Sequence, residues 1–371
     1  MTQNLPPHLS RTAGDDATRL GAVSIDELLA PVDQLIDNGQ FDTGYHLLKR
    51  LRTALGPHSQ LDRRLGRIYR ASVPRWHFAM LNDRDRNAAF AEAIVRSSVR
   101  DKVVLDIGAG SGLLSMLAAQ QGAAHVYACE MVAPVADKAV EIIAANGYAD
   151  RVTLIPKISY DLRIGAELPR RADVLISETI DCGFVGEGFL GSLRHARAEL
   201  LTPDATLVPR RFSLEGALLD STDVFNLNRV DEAQGFNVAG FNELATQGYF
   251  PVRLNTWQHR LMSAPTRLLG LDLASYTFAP ITETIELTAD AAGEVHGVVF
   301  WFDVELVAGV RLSNTPTTGN SHWMQAFACF DRPIAVAKGD EVVVELGFSR
   351  SSVDITYVGT RGASRIAPRA S

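Results

Sequence analysis

The spacing of apolar residues changes along the chain and divides it into three regions. Between residues 24 and 55, apolar residues recur three and four positions apart, which is typical of amphipathic helices. Residues 76–99 predict one further helix. From residue 100 to 205, short apolar runs alternate with helical stretches, and this alternation predicts a parallel sheet with crossover helices. After Pro209 the pattern favours strands separated by turns, with helical spacing only near 222–248.

Together with the N-terminal residues that precede them, these regions give four predicted segments. Residues 1–20 hold paired prolines and few apolar side chains, so we expect a flexible tail. Residues 21–75 predict a helical hairpin that begins with a Ser24–Glu27 capping box and resembles one tetratricopeptide unit. Such a unit cannot bury both faces alone and should pack on the main body or on another subunit. Residues 76–205 predict a Rossmann-like α/β domain, and residues 206–371 an antiparallel β-sandwich or β-barrel.

Composition narrows the functional classes. The 371 residues carry a formal charge of −7, which excludes nucleic-acid binding through bulk charge and suits either solubility or a cationic substrate. No apolar run approaches the roughly 20 residues that span a bilayer, and no secretory signal opens the chain. The three cysteines, Cys129, Cys182 and Cys329, predict neither disulfides nor a metal site, so we expect a cytoplasmic protein without a metal.

A glycine-rich turn follows the first predicted strand, VVLDI, and opens a helix. Such a turn lets the backbone approach a ligand, and a dinucleotide is one candidate. The spacing of Gly108, Gly110 and Gly112 is G-x-G-x-G, however, and Asp106 would repel a pyrophosphate. Glu130 ends the next strand, where a carboxylate can accept both ribose hydroxyls. These features favour S-adenosylmethionine as the cofactor.

Three further motifs accompany this turn in a consistent order over residues 68–371. They are WHFAMLNDRDR at 76–86, SETIDCGFVGEG at 177–188 and Ser-His-Trp at 321–323. Together they resemble the protein arginine methyltransferases, most closely the branch with the monomethylating and symmetric-dimethylating enzymes. The resemblance implies a class I, Rossmann-like S-adenosylmethionine-dependent methyltransferase domain followed by an antiparallel β-barrel.

The resemblance also assigns cofactor contacts. They are Arg86 for the methionine carboxylate, Asp106 and the three turn glycines for the amino-acid end, Glu130 for the ribose, Ile158 and Ser159 for the adenine, and Met80 and His77 beside the cofactor. Three positions depart from the common family pattern. Ile68–Ser72 replaces an aromatic-rich segment, Ser159 replaces a common glutamate, and Ser321 replaces a threonine.

The substrate residues implied by the resemblance are acidic. Glu178 and Glu187 would clamp the planar, cationic guanidinium through paired, charge-assisted hydrogen bonds. His322 would pair with Asp83, and Trp323 would line the arginine channel. Asp181 is either a third acid of the site or a turn residue. The proton released on methylation could pass to Glu178, to Glu187 or to the His322–Asp83 pair, and the sequence leaves these alternatives open.

Three functions are compatible with these motifs: methylation of free L-arginine, methylation of arginine in proteins, and a non-catalytic cofactor-binding scaffold. The acidic pair and Arg86 argue against the scaffold. A single catalytic module without a recruitment domain, and a composition typical of high-GC bacteria, favour free L-arginine and the product ω-N-monomethyl-L-arginine. The layout is also similar to that of a free-arginine methyltransferase of antibiotic biosynthesis.

The expected partners are therefore a small-molecule substrate and further copies of the chain, without nucleic acid or membrane. Residues 222–265 lie where the resembled family carries its dimerisation arm. They include Phe236, Phe241, Tyr249 and Phe250, more aromatic residues than a free loop should expose. We expect a homodimer or a higher homo-oligomer.

Overall fold

Residues 24–317 and 321–362 are described by the computed structural model. The chain divides into one unit of residues 1–74 with 132–134, and a second unit of residues 75–131 with 135–371. The predicted flexible tail, residues 1–20, lies outside the described residues.

The first unit contains three helices, α1 (Ile25–Asp37), α2 (Phe41–Leu55) and α3 (Ser59–Ser72). The capping box is present, because the Ser24 hydroxyl accepts from the Glu27 N–H and the Ser24 N–H donates to the Glu27 carboxylate. The two helices of the predicted hairpin are present, but the segment also contains a third helix, α3, that was not predicted. The third helix buries Leu61 and Ile68 in the same core as α1 and α2, which gives the pair the partner that it lacks alone. The segment Ile68–Ser72, which differs from the aromatic-rich segment common in the resembled family, forms the end of this helix.

Residues 76–99 form two helices, α4 (Trp76–Asn82) and α5 (Arg84–Arg96), and not the single predicted helix. The break falls at Asp83, whose backbone is extended and whose carboxylate accepts from the Arg86 N–H at 2.9 Å. Asp83 is therefore the N-cap of α5, a position that favours aspartate.

A five-stranded, all-parallel sheet follows. Its strands are β1 (Val103–Ile107), β2 (His125–Cys129), β3 (Val152–Ile155), β4 (Ala172–Ser177) and β5 (Leu201–Val208), and its helices are α6 (Leu113–Gln120), α7 (Ala133–Ala145) and α8 (Phe189–His195). The order β3-β2-β1-β4-β5 reverses direction between β1 and β4. Ligands of such sheets bind where the order reverses, at the carboxyl ends of the strands. Strand β5 extends three residues past the predicted boundary at 205.

The remaining strands pair antiparallel. They are β6 (Arg211–Asp220), β7 (Glu232–Ala233), β8 (Phe236–Asn237), β9 (Phe250–Val252), β10 (Arg260–Leu261), β11 (Thr266–Asp272), β12 (Ile281–Thr288), β13 (Gly293–Val307), β14 (Val310–Ser313), β15 (Gln325–Val336), β16 (Glu341–Phe348) and β17 (Val353–Arg361). One sheet of seven strands is centred on β6 and β13, and a second has the order β12-β16-β17. Both contribute to one core with the parallel sheet. The predicted fold class is confirmed.

The insertion after β6 is mostly irregular. It contains the one-turn helix α9 (Thr222–Phe225), the β7–β8 pair and a 3₁₀ segment (Ala239–Leu244), so the helical spacing near 222–248 did not predict a long helix. Three apolar side chains of the insertion are largely exposed: Phe236 (73%), Phe241 (68%) and Leu244 (75%). Among the described residues, no helix is both long and apolar enough to cross a membrane.

Candidate active site

The glycine-rich turn follows β1 at the reversal point of the parallel sheet. The N–H groups of Gly108 and Ala109 donate to the Cys129 carbonyl at 3.0 Å, and the Gly110 N–H donates to the Glu130 carboxylate at 3.1 Å. Gly108 has a φ of +76°, and a Cβ at this position would collide with the Thr179 side chain. A Cβ at Gly110 would meet no atom within 4 Å. The turn is therefore held against the end of β2 and keeps one open face.

Asp106 lies beneath this turn and is fully buried. One carboxylate oxygen accepts from the Ser115 hydroxyl at 2.5 Å, while the other, Oδ1, has no hydrogen-bond partner. Burial raises the pKa of Asp106 to about 6, although Ser115 and Arg86 act in the opposite direction. A buried acceptor without a partner is costly, so this atom is suited to a ligand donor.

The other predicted cofactor residues lie on α4 and after β3. On α4, Met80 is buried, and His77 is half-buried against the Trp76 ring, with a pKa that burial lowers. Ile158 is exposed, whereas Ser159 is buried and its hydroxyl donates to the Ser192 hydroxyl at 3.1 Å.

Arg86 and Glu178 form a buried ion pair that the sequence did not predict. The Arg86 Nη2 group donates to the Glu178 carboxylate, and its Nη1 group donates to the Asn87 side chain at 2.8 Å. The Arg86 Nε atom is buried and has no partner. The first residue of the expected substrate clamp thus contacts the residue expected to bind the cofactor carboxylate.

The two carboxylates expected to clamp the substrate differ in their surroundings. Burial raises the pKa of Glu178 to about 6, and the attraction of Arg86 limits the increase. The Glu187 side chain still reaches solvent, but protein atoms displace much of the water around it. This desolvation, together with the charges of Glu178 and Asp181, raises the pKa of Glu187 to about 7. Two carboxyls with raised pKa values thus lie close together, a combination that favours a cationic ligand.

The loop from Glu178 to Glu187 is held from the antiparallel sheets. The Trp323 indole N–H donates to the Ile180 carbonyl at 3.0 Å, and the Asn314 side-chain amide donates to the Cys182 carbonyl at 3.1 Å. Phe184, with a φ of +78°, is fully buried and stacks on Phe212 at 3.8 Å. The backbone of this loop, residues 178–187, which we call the clamp loop, therefore depends on side chains that follow it in the sequence by up to 143 residues.

His322 and Asp83 contact each other as predicted from the sequence resemblance. The Asp83 carboxylate lies 2.9 Å from both the backbone nitrogen and the Nδ1 atom of His322. Burial works to raise the pKa of Asp83, but the hydrogen bonds from Arg86 and His322 outweigh it and the pKa is lowered. Burial also lowers the pKa of His322, despite the attraction of Asp83. An ionised Asp83 beside a neutral imidazole therefore fits both shifts.

Asp181 has hydrogen bonds at both carboxylate oxygens. The Gly186 N–H donates to Oδ1 at 2.8 Å, and the Tyr249 hydroxyl donates to Oδ2 at 2.6 Å. Of the two sequence interpretations, these contacts favour the turn residue. Tyr249 was assigned only to the aromatic insertion, since no local pattern connects it with a residue 68 positions away.

Comparison with known proteins identifies the family. The chain is 45% identical over 282 residues to a Streptomyces achromogenes subsp. streptozoticus protein named arginine N(omega)-methyltransferase, covering 76% of this chain and 78% of the relative. The chain belongs to the arginine methyltransferase family. Residues 221–357 match the model of the arginine methyltransferase oligomerization subdomain, and residues 91–180 match that of the ribosomal protein L11 methyltransferase (PrmA).

The chain is also similar to arginine methyltransferases from eukaryotes. The chain is 29% identical to protein arginine N-methyltransferase 7 of Drosophila ananassae over 76% of its own length, and it spans about half (48%) of that relative. The solved Trypanosoma brucei PRMT1 enzyme–prozyme heterotetrameric complex with AdoHcy is similar to 78% of this chain and 95% of that one, with 26% identity and a TM-score of 0.68. A solved Arabidopsis thaliana protein arginine methyltransferase 10 shares the fold at 23% identity and a TM-score of 0.64, over 78% and 93% of the chains.

Proposed function

We propose that this arginine methyltransferase transfers a methyl group from S-adenosylmethionine to free L-arginine and forms ω-N-monomethyl-L-arginine. The choice of substrate rests on the 45% identity to the relative named arginine N(omega)-methyltransferase. Two relatives that are 29% identical are instead named protein arginine N-methyltransferases. The acidic clamp of Glu178 and Glu187 serves either substrate, because both present the same guanidinium.

The residues around the turn fit S-adenosylmethionine. Two buried polar atoms without partners, Asp106 Oδ1 and Arg86 Nε, match the amino and carboxylate groups of its methionine end. Glu130 would hold the ribose hydroxyls. The remaining contacts would come from the open face at Gly110, from Ile158 and Ser159 at the adenine, and from Met80 and His77 on α4. AdoHcy in the Trypanosoma complex supports this assignment. When bound, the cofactor supplies a methyl group activated by its sulfonium charge.

Glu178 and Glu187 would orient the guanidinium. Burial raises the pKa of both carboxyls. The charges of Asp106 and Asp83 add to the increase at Glu178, and those of Glu178 and Asp181 add to it at Glu187. A guanidinium placed between them adds a positive charge that stabilises both ionised forms, so substrate binding and ionisation of the pair support each other. Two carboxylates on one side of the cation fix its plane and direct one nitrogen towards the methyl donor, and this positioning supplies most of the rate acceleration.

The proton released on methylation has a suitable acceptor in His322. The lowered pKa keeps its imidazole neutral at pH 7, and the ionised Asp83 accepts a hydrogen bond at Nδ1. This contact assigns the proton to Nδ1 and leaves Nε2 with a lone pair. Trp323, whose ring lies 3.9 Å from that of His322, restrains the imidazole from the side.

Free arginine differs from peptide arginine by its charged α-ammonium and α-carboxylate groups, and Arg253 offers the carboxylate a partner. Its guanidinium donates to the carbonyls of Ser321 and His322 at 3.3 and 3.2 Å, so it lies against the His322 loop. Arg253 is exposed, and both of these hydrogen bonds go to neutral backbone carbonyls. A peptide would present a neutral amide here, so this charge favours the free amino acid.

The test is a competition assay. Purified enzyme receives S-adenosylmethionine with free L-arginine, with an arginine-rich peptide, or with both, and products are identified by mass spectrometry. We expect efficient monomethylation of free arginine, and about 30- to 1000-fold slower product formation with Glu187→Gln at the same enzyme concentration. Peptide methylation with inert free arginine would overturn the substrate choice and leave the chemistry intact, whereas inactivity with both substrates would overturn the proposed reaction.

We further infer a homodimer formed through the insertion, the arm predicted at residues 222–265. The match to the oligomerization subdomain begins at residue 221, and the exposed Phe236, Phe241 and Leu244 need an apolar partner in water. Light scattering should give a dimer or larger assembly at micromolar concentration. Phe241→Asp should shift the mass towards the monomer, and a wild-type monomer would contradict the inference.

A further inference from the structure

Tyr249 links the insertion to the clamp loop. It directly precedes β9, at the end of the insertion, and its hydroxyl donates to Asp181 Oδ2 at 2.6 Å. Its ring lies under Gly183, where an added Cβ would collide with it, and packs edge-on against Phe300 at 5.4 Å. Burial raises the pKa of the phenol, so the Tyr249 hydroxyl keeps its proton at neutral pH.

Asp181 transmits this contact to the substrate clamp. Its second oxygen accepts from the Gly186 N–H at 2.8 Å, and Gly186 directly precedes Glu187. A Cβ at Gly186 would collide with the Asp181 carboxylate, so the two residues are in close contact. The sequence of contacts therefore runs from the Tyr249 hydroxyl through Asp181 to the backbone that sets the position of Glu187.

We propose that Tyr249 is a positioning residue for arginine methylation, which acts through Asp181 to hold the backbone that carries Glu187. The proposal rests on the proposed role of Glu187 in binding the guanidinium. Tyr249 itself need not touch the substrate, because its hydroxyl is occupied by Asp181. Tyr249 lies within the arm, residues 222–265, so its hydroxyl connects the arm with the clamp loop.

The decisive variant is Tyr249→Phe, which keeps the ring against Gly183 and Phe300 and removes only the hydroxyl. We expect kcat/KM for arginine to fall about 10- to 100-fold, the range for a hydrogen bond to a charged acceptor. The KM for S-adenosylmethionine should change less than about twofold, because the cofactor turn makes no contact with Tyr249. Full activity of Tyr249→Phe would overturn the proposal.

Tyr276→Phe is the matched control. The Tyr276 hydroxyl donates to the Ala279 carbonyl at 2.8 Å in the same unit, away from the clamp loop. This variant loses the same group and should keep kcat/KM within about twofold of wild type. An equal loss in both variants would show a general effect on the fold and would overturn the specific role of Tyr249.

The route through Asp181 is tested by combining variants. In an Asp181→Ala background, Tyr249→Phe should lower kcat/KM by less than about twofold, because its acceptor is already absent. Asp181→Asn should retain more activity than Asp181→Ala, since the amide oxygen can accept from Gly186 and the amide nitrogen can donate to Tyr249. If Tyr249→Phe lowers kcat/KM as much in the Asp181→Ala background as in the wild type, Tyr249 does not act through Asp181.

Hydrogen exchange tests the positioning without turnover. In Tyr249→Phe, the amides of residues 181–188 should exchange several times faster than in wild type, while those of β1 and β4 stay unchanged. Unchanged exchange in this loop would overturn the positioning role of Tyr249, whether or not the protein methylates arginine. If exchange rises in an enzyme that methylates neither substrate, the positioning role stands and only the reaction is wrong.

Discussion

Glu187→Gln should make the enzyme more stable and nearly inactive at the same time. The folded protein raises the pKa of Glu187 from its usual 4.5 to about 7, through desolvation and through the charges of Glu178 and Asp181. Between these two pH values the folded state binds more protons at this group than the unfolded state does. The group therefore lowers stability as pH rises through this window, and above pH 7 the full cost is present. Glutamine never ionises and avoids that cost.

The magnitude follows from the shift. One pKa unit corresponds to about 1.4 kcal/mol, so the whole shift would amount to roughly 3 kcal/mol at pH 8. Because Glu187 still reaches solvent, screening reduces this figure, and we expect a gain of about 1 kcal/mol, or about 2 °C in Tm. Catalysis should lose about 2–4 kcal/mol of transition-state stabilisation, roughly 30- to 1000-fold in kcat/KM, because a charged partner of the guanidinium is gone.

The assay combines thermal unfolding at pH 4 and pH 8 with steady-state kinetics at pH 8. The Tm gain of Glu187→Gln should appear at pH 8 and vanish at pH 4, where the wild-type carboxyl is also neutral. Glu283→Gln, at an exposed position on β12, is the charge-matched control and should change neither quantity. A lower Tm for Glu187→Gln at pH 8, or wild-type turnover, would refute the reasoning.

Three other predictions concern the same site. Glu178→Gln should also abolish activity but should lower Tm at pH 8, because Arg86 stays buried without its charged partner, at a cost of about 3 kcal/mol. For the wild type, kcat/KM for arginine should fall as pH drops below about 7, where Glu187 and then Glu178 become protonated, and pH–rate profiles would reveal this. Arg253→Gln should raise the KM for free arginine about 5- to 20-fold and leave the KM for an arginine peptide unchanged, as steady-state kinetics would show.

The parts of this enzyme that could be predicted from the sequence are local. The glycine turn, Asp106 and Glu130 follow strands whose apolar runs are contiguous, and parallel strands bring their carboxyl ends to one edge. The fold class was predictable for the same reason. The helix break at Asp83 is also local, because the Asp83 carboxylate caps the Arg86 N–H three residues later, but the prediction of one continuous helix over 76–99 missed it.

The parts that could not be predicted depend on pairs that are distant in the sequence. Arg86 and Glu178 are 92 positions apart, and the sequence around either residue gives no sign that it pairs with the other. Tyr249 was counted only as one more aromatic residue of the insertion. Composition does not distinguish an aromatic residue of a dimerisation arm from one that supports a loop elsewhere in the chain. Helix α3 is a different case. Its buried Leu61, Leu65 and Ile68 are spaced four and three residues apart, so the helical spacing is present in the sequence and a third helix could have been predicted.

The clamp loop illustrates why catalytic geometry in this family requires both sheets. The loop leaves a strand of the parallel sheet, yet the side chains that donate hydrogen bonds to Ile180, Asp181 and Cys182 are those of Trp323, Tyr249 and Asn314, which lie in the later part of the chain. Two of these three contacts end on backbone carbonyls, so they fix the path of the chain and are indifferent to the side chains of the loop. Substitutions in the antiparallel sheets should therefore alter kcat for arginine more than cofactor affinity, because the hydrogen bonds of the cofactor turn go to Cys129 and Glu130 at the end of β2.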